Sequence, residues 1–106
     1  MKIPAEKRVR TYELTYLVSP ETTQEELTKI KARVTEIITN AKGEIKETED
    51  WGKKEMAYTI KKAGKRFDQA NYVHVVFEAE ADQATIVKDN VNLEDEIIRY
   101  LLVVRE

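Results

Sequence analysis

The residues best suited to chemistry in this sequence are lysines beside a glycine in an extended segment. Residues 49–62 run Glu-Asp-Trp-Gly-Lys-Lys-Glu-Met-Ala-Tyr-Thr-Ile-Lys-Lys. Lys53 and Lys54 follow Gly52, where a strand irregularity would push side chains outward. Exposed ammonium groups contact phosphates as mobile point charges, and the indole of Trp51 could stack on a base or seat a partner side chain. The segment is therefore a candidate surface for RNA or a protein partner.

The side chains of this segment also have other possible environments. Trp51 could pack beneath the bent strand, which would use the same large ring surface. Tyr58 shares a strand face with Met56 and Ile60, so we expect it in the core. The lysines could simply solvate a strand edge, where Lys discourages aggregation.

Further cations extend the candidate surface along the chain. Arg99 is a lone cation in an apolar C-terminal run. Because burying an unpaired charge is costly, we expect Arg99 on an open sheet face, near Glu13 if the first and last strands are neighbours. There it would form a structural ion pair or a contact at the rim of a partner. The full set of predicted RNA-binding or partner-contact residues is Arg8, Arg10, Trp51, Lys53, Lys54, Lys61, Lys62, Lys65, Arg66 and Arg99.

The sequence predicts no metal centre, cofactor or catalytic site. His74 is the only His and the chain has no Cys, so a packed or partner-facing imidazole is expected. Glu47, Glu49 and Asp50 form an acidic run with no nucleophile beside it. We expect these carboxylates to face solvent or to pair with nearby Lys.

Length and composition predict one cytoplasmic domain. A chain of 106 residues should bury roughly 65% of the surface that it exposes when unfolded. The 42% of hydrophobic residues support a core, and 36% charged residues are too many for a membrane protein. We find no signal peptide and no apolar run near the ~20 residues of a membrane span. The lack of Cys suits a reducing compartment.

The charge is segregated along the chain, although its net value is −2. Residues 1–10 carry four positive side chains and one negative, and residues 51–66 carry six and one. Residues 67–106 carry three positive and nine negative side chains. Such a chain can present a local basic patch to RNA while staying acidic, although ordinary solvated faces would give the same counts.

Hydrophobic periodicity in the first half predicts a strand and then a helix. Residues 10–18 alternate, and Ser19-Pro20 ends the strand. Thr22 or Thr23, with Glu25 or Glu26 three residues on, offers a capping box. Gly43 is the predicted helix stop. The apolar stripe between them consists of Leu27, Ile30, Val34, Ile37, Ile38 and Ala41.

The second half predicts two strands, a helix and a last strand. A long strand begins at Ile45 and bends near Gly52, Ala63-Gly64 forms a turn, and residues 67–77 form the third strand. Asp82 is the expected cap of a second helix whose apolar face is Ala84, Val87 and Val91. Residues 93–95 connect it to residues 97–104, whose apolar run predicts a buried last strand.

The order strand, helix, strand, strand, helix, strand is a split pair of β-α-β units. Right-handed crossovers fold this order into a four-stranded antiparallel sheet with both helices on one face, the α+β ferredoxin-like fold. We predict a basic flexible N-terminal arm over residues 1–9 and a single domain over residues 10–106.

The predicted first strand carries Arg-Thr-Tyr-Glu-Leu and a following Ser-Pro, and the predicted last strand carries Ile-Ile-Arg-Tyr-Leu-Leu-Val around Arg99. With these segments and residues 49–62, the sequence resembles the family of ribosomal protein S6 from the bacterial small subunit. Met56 stands where the family motif Gly-x-basic-polar-Leu-Ala-Tyr-x-Ile-basic has Leu, a nearly volume-conserving change. The motif is matched by Gly52, Lys54, Glu55, Ala57, Tyr58, Ile60 and Lys61.

The resemblance implies a structural, non-enzymatic part of the small ribosomal subunit. It implies pairing with ribosomal protein S18 and docking on the central domain of small-subunit ribosomal RNA. Two departures stand out, because the family usually begins near Arg10 and the turn after Ile60 looks several residues longer than usual. Both additions are rich in Lys and Arg, which favours extended RNA contact, although such sites also tolerate neutral change.

Alternative functions come from the many roles that one fold can host. A ferredoxin-like regulatory or ligand-binding module is the main alternative. An acylphosphatase would need a Gly-rich loop after the first strand, where this chain has Val-Ser-Pro-Glu over residues 18–21. An RNA-recognition motif would need aromatic side chains projecting together from the middle strands, a pattern that Phe67, Tyr72 and Phe77 do not give.

Overall fold

The computed structural model describes residues 8–105, and the predicted arm lies mostly outside this range. Six elements follow one another in the predicted order. They are β1 (Val9–Val18), α1 (Gln24–Asn40), β2 (Glu44–Lys62), β3 (Lys65–Glu80), α2 (Ala81–Asn92) and β4 (Ile97–Arg105). Neither helix in residues 8–105 is long and apolar enough to cross a membrane.

The four strands form one antiparallel sheet in the order β2-β3-β1-β4. Tyr12 lies opposite Phe77 of β3 and Val104 of β4, so β1 is a central strand. This topology confirms the predicted ferredoxin-like fold.

The core lies between one sheet face and the two helices. Period-2 alternation directs every second residue of β1 inward, and the helices supply matching apolar stripes. Tyr12 and Phe77 stack with ring centroids 5.5 Å apart. The buried side chains include Leu14, Tyr16, Val18, Leu27, Ile30, Val34, Ile38, Val73, Val75, Val87 and Val91. The opposite face, here called the open sheet face, is covered by neither α1 nor α2 and includes Glu13, Thr15, Trp51, His74 and Arg105.

Helix α1 begins at the predicted capping box, but Lys42 and not the predicted Gly43 takes the left-handed conformation after its C-terminal end. Thr23 and Glu26 form the reciprocal capping box. At the other end Lys42, with φ of 60°, takes the left-handed position, and the Gly43 N–H donates to the Ile38 carbonyl at 2.8 Å. Glycine is required at position 43 because the backbone there packs closely against the Ile38 side chain. An added Cβ would lie only 2.7 Å from Ile38 Cγ2.

The predicted cap of α2 is wrong by two residues. Glu80 is the N-cap, without a capping bond from its side chain, and Asp82 lies in the first turn. A carboxylate there still favours the helix, because it faces the positive end of the helix dipole.

The prediction of a buried last strand is also wrong. Strand β4 lies at a sheet edge, and Ile97 is its only fully buried residue. Leu101 and Val103 are 62% and 43% exposed. An apolar run predicts burial on both faces only for a strand with neighbours and cover on each side.

Strand β2 contains irregularities that shape the site. One register shift lies between Asp50 and Gly52, as the bend predicted near Gly52 requires. A larger shift places residues 56–59 opposite Asp68 alone, because Glu55 pairs with Gln69 and Ile60 with Phe67. The bulge at residues 56–59 therefore inserts extra residues into β2 but not into β3.

Candidate nucleic-acid interface

The tip of the β2–β3 hairpin gathers four predicted basic residues. They are Lys61, Lys62, Lys65 and Arg66. Lys61 pairs with Arg66 and Lys62 with Lys65 across the turn. Since cross-strand partners lie about 5 Å apart, the four cations occupy a small area.

The turn itself is short. Ala63 and Gly64 have φ of 53° and 77°, the two positive values of a type I′ hairpin turn. The turn is thus the predicted Ala63-Gly64, because the strands continue to Lys62 and from Lys65 and leave only these two residues between them. Any extra length after Ile60 relative to the family would therefore lie in the paired strands and not in the turn.

The cations at the tip differ in what they contact. Lys61, Lys65 and Arg66 are exposed, and none of the ion pairs between residues 8 and 105 includes them. Lys62 is half-buried and its ammonium donates to the backbone carbonyl of Ile97. Three charges thus face solvent, whereas Lys62 ties the hairpin to β4.

Tyr58 lies at the surface, so its predicted burial is wrong. Its side chain is 64% exposed, although Ile60 is 5% exposed. The bulge at residues 56–59 explains the difference, because residues outside regular pairing no longer alternate between the two sheet faces.

Arg99 is exposed as expected but does not contact Glu13. It lies opposite Leu17 on β4, and its Nη1 is 3.5 Å from the Tyr58 hydroxyl oxygen, the long limit of a hydrogen bond. The partner of Glu13 is instead Arg105, whose Nε donates to Oε2 at 3.3 Å. Tyr58, Arg99, Lys61, Lys65 and Arg66 together are here called the hairpin end.

The bulge at Gly52 is held by a side chain. Gly52 has φ of 77°, a conformation that favours glycine. Its N–H donates to Asp50 Oδ1 at 3.1 Å, and Lys31 of α1 donates to Oδ2 at 2.9 Å. The Lys31 ammonium lowers the pKa of Asp50 below its usual range. Pairing of the acidic run with a nearby Lys is thus confirmed for Asp50.

Trp51 packs on the open sheet face and stays 40% exposed. Its ring stacks on His74 with centroids 4.6 Å apart and planes 11° from parallel. The Lys54 ammonium lies 5.2 Å from the Trp51 ring and 5.9 Å from that of Tyr72, within cation–π range. Lys53 is exposed opposite Asn71. Of the predicted pair, only Lys53 is free of an aromatic contact.

His74 is the centre of a polar network, in line with the predicted packed imidazole. Nδ1 lies 2.9 Å from the Thr15 hydroxyl and Nε2 lies 3.0 Å from Glu13 Oε1. The Arg105 guanidinium, with a smaller effect from His74, lowers the pKa of Glu13 below its ordinary value. Within residues 8–105, His, Cys, Asp and Glu side chains form no group of three that could hold a metal ion.

Arg8 and Arg10 lie at the other end of the sheet. Both are exposed, and Arg10 pairs with Ala79 near the end of β3. Ala79 and Arg66 are 13 residues apart along β3, so Arg10 lies about 40 Å from the tip of the hairpin. The predicted contact residues therefore occupy three places: the hairpin end, the open sheet face and the start of β1.

Fold and surface together define a class: a small ferredoxin-like domain whose most basic exposed element is a bulged β-hairpin. A family model, Ribosomal protein S6, matches residues 11–104. The chain therefore belongs to the ribosomal protein S6 family, which confirms the resemblance seen in the sequence. The family is one of ribosomal proteins rather than of enzymes.

Individual relatives agree with this assignment. The chain is 39% identical over 92 residues to the small ribosomal subunit protein bS6 of Geotalea daltonii, covering 87% of this chain and 69% of the relative. Identity to the bS6 protein of Geobacter metallireducens is 34%, with 87% and 75% covered. These homologues indicate a cytoplasmic, ribosomal location.

Solved structures support the fold. The crystal structure of 30S ribosomal protein S6 from Thermotoga maritima matches with a TM-score of 0.82 and 28% identity, covering 92% of this chain and 89% of that one. A homoserine dehydrogenase from Thiobacillus denitrificans matches with a TM-score of 0.63 and 10% identity over 98% of this chain and 19% of its own. The second likeness shows the fold alone.

Proposed function

We propose that this protein is a structural, non-catalytic constituent of the bacterial small ribosomal subunit. In this role it binds the central domain of small-subunit ribosomal RNA together with ribosomal protein S18. The observation that carries the proposal is the family match over residues 11–104, because it covers almost the whole described fold, including the bulged hairpin.

The charges of the hairpin end support an RNA contact there. Lys61, Lys65 and Arg66 are exposed and lie beside one another across a tight turn. Cations without carboxylate partners keep their charge available for phosphate, and releasing condensed counterions from RNA drives such binding. Lys53 adds a further exposed cation on the same β2 strand.

The net negative charge of the chain supports the proposal that it binds RNA together with a second protein. The net charge is −2, and a net-acidic protein gains little from non-specific attraction to RNA. A second, basic protein bound beside the hairpin end would enlarge the positive surface, as pairing with S18 would do. RNA binding by the isolated chain is therefore expected to be weak.

The test uses purified components. A fragment of the central domain is titrated with this chain, with S18, and with both proteins, over a series of salt concentrations. We expect tight binding only for the mixture, with an affinity that falls steeply as salt rises. Equal, weak binding in all three titrations at low salt would contradict the proposal.

A further inference from the structure

Tyr58 is exposed in a way that regular pairing would not produce. The bulge places four residues, 56–59, opposite Asp68 and leaves the Tyr58 side chain 64% exposed. Without the bulge this residue would follow the alternation that buries Ile60. Bulges often redirect a side chain toward a functional site. The exposed Tyr58 ring is therefore a candidate binding residue.

An open cleft lies against Tyr58. Its volume is about 920 Å³, enough for a nucleotide, and it lies between the bulge, the start of β3 and residues 19–21 after β1. Lys65 and Arg66 line it and are among the cations without an ion pair between residues 8 and 105. The cleft thus combines an exposed ring with two available positive charges.

The other polar side chains of the cleft suit a base edge. Glu21, Glu55, Asp68 and Gln69 line it and can accept hydrogen bonds, as exocyclic amino groups of bases require. Asp68 already accepts from the Thr59 hydroxyl at 2.5 Å, which fixes its orientation. A fully anionic ligand would be repelled by these carboxylates, whereas a nucleotide places its phosphate and its base in different parts of a site.

We propose that this cleft receives one unpaired RNA nucleotide whose base stacks on Tyr58 and whose phosphate contacts Lys65 or Arg66. RNA is favoured over a protein side chain because three residues of the hairpin end, Tyr58, Lys65 and Arg66, line the cleft, and both cations are exposed. Aromatic rings stack on unpaired bases with little dependence on sequence. The inference rests on the proposed function.

The experiment compares Tyr58→Leu and Tyr58→Phe in the mixture of the full chain, S18 and the central-domain fragment. Tyr58→Leu should weaken RNA binding by roughly 5- to 150-fold, the range that base stacking spans, while the salt dependence stays the same because no charge is lost. Tyr58→Phe should retain binding, since it keeps the ring. Thermal unfolding of both variants should match that of the unaltered chain, because the side chain is exposed.

Photocrosslinking of the same complex identifies the contacted ring directly. Tyr58 is the only aromatic residue of the tryptic peptide 55–61, whereas Trp51 lies in peptide 47–53. We expect the RNA crosslink on peptide 55–61. A crosslink confined to peptide 47–53 would place the stacked base on Trp51 and overturn the inference.

Other outcomes separate this inference from the proposed function. Unchanged RNA affinity of Tyr58→Leu, in a mixture where the unaltered chain binds, overturns the stacking site alone. Weakened binding of Tyr58→Leu to S18 without RNA assigns the ring to the protein partner and also overturns it. Failure of the unaltered chain to bind the fragment overturns both proposals.

Discussion

The open sheet face and the hairpin end both carry charged and aromatic side chains, but they use them differently. On the open sheet face, Glu13 pairs with Arg105 and His74, and Trp51 stacks on His74. At the hairpin end, Lys65 and Arg66 take part in none of the ion pairs between residues 8 and 105.

The difference shows that pairing, rather than the number of charges, separates a structural cluster from a candidate binding surface. A charge already held by a neighbour must give up that contact before it binds a ligand, so it contributes less to affinity. An exposed, unpaired cation has no such contact to lose. Substitutions on the open sheet face should therefore change stability, and those at the hairpin end should change RNA binding.

The largest expected effect is at the hairpin end. Lys65→Glu with Arg66→Glu should reduce affinity for the RNA fragment by about 100-fold at moderate salt and lower the salt slope by about two. The free energy of unfolding should change by no more than about 0.5 kcal/mol, because both side chains are exposed. Fluorescence anisotropy and urea unfolding measure the two quantities.

The control for this variant is a charge reversal elsewhere. Lys29→Glu with Lys88→Glu changes the net charge equally but alters exposed residues of α1 and α2. Its affinity should stay near that of the unaltered chain. If both double variants lose the same affinity, net charge rather than the hairpin end governs binding.

On the open sheet face we expect a smaller effect, which lowers stability and leaves RNA affinity unchanged. His74→Ala removes the stack on Trp51 and the contacts to Thr15 and Glu13, from a side chain only 12% exposed. We expect a loss of about 2 kcal/mol in the free energy of unfolding, and a fall in Tm of about 10 °C. RNA affinity below the new Tm should not change.

A double-mutant cycle tests the stack itself. Trp51→Leu, His74→Ala and the double variant should give a coupling of about 1 kcal/mol between the two rings. Reduced RNA affinity of His74→Ala, with an intact fold, would show that the open sheet face also binds RNA and would remove the contrast between the regions.

Local patterns predicted those parts of the fold that depend on neighbours in sequence. The alternation of β1, the capping box of Thr23 with Glu26 and the turn at Ala63-Gly64 all lie where the sequence places them, because each depends on a few consecutive residues. The family resemblance was also visible locally, in the motif around Gly52.

The predictions that were wrong concern features that depend on contacts between residues distant in sequence. Tyr58 is exposed because two pairing registers of β2 meet beside it, and simple alternation runs through this segment without a break. Arg105 rather than Arg99 meets Glu13 because β1 pairs Glu13 with Val103, which places Arg105 nearby. Neither register can be read from periodicity, since period 2 fixes which face a side chain takes but not its partner.

The smallest expected effect is the pH dependence of the Glu13 ion pair. The pKa of Glu13 is lowered in the folded protein, first by the Arg105 hydrogen bond, so folding favours the ionised carboxylate. The resulting stabilisation is fully present above the ordinary carboxyl value of 4.5 and is lost as the pH falls through the lower folded value. Glu13→Gln should therefore be less stable than the unaltered chain at neutral pH, and this difference should shrink in acid.

Arg105→Gln provides the matched partner for Glu13→Gln. Urea unfolding of the two single variants and the double variant gives the coupling between the side chains at each pH. The coupling should be present at neutral pH and disappear well below the folded pKa, and salt should weaken it because both groups are near the surface. A coupling that persists in acid would mean that the contact does not depend on the carboxylate charge. The open sheet face would then be held by packing and neutral hydrogen bonds rather than by paired charges.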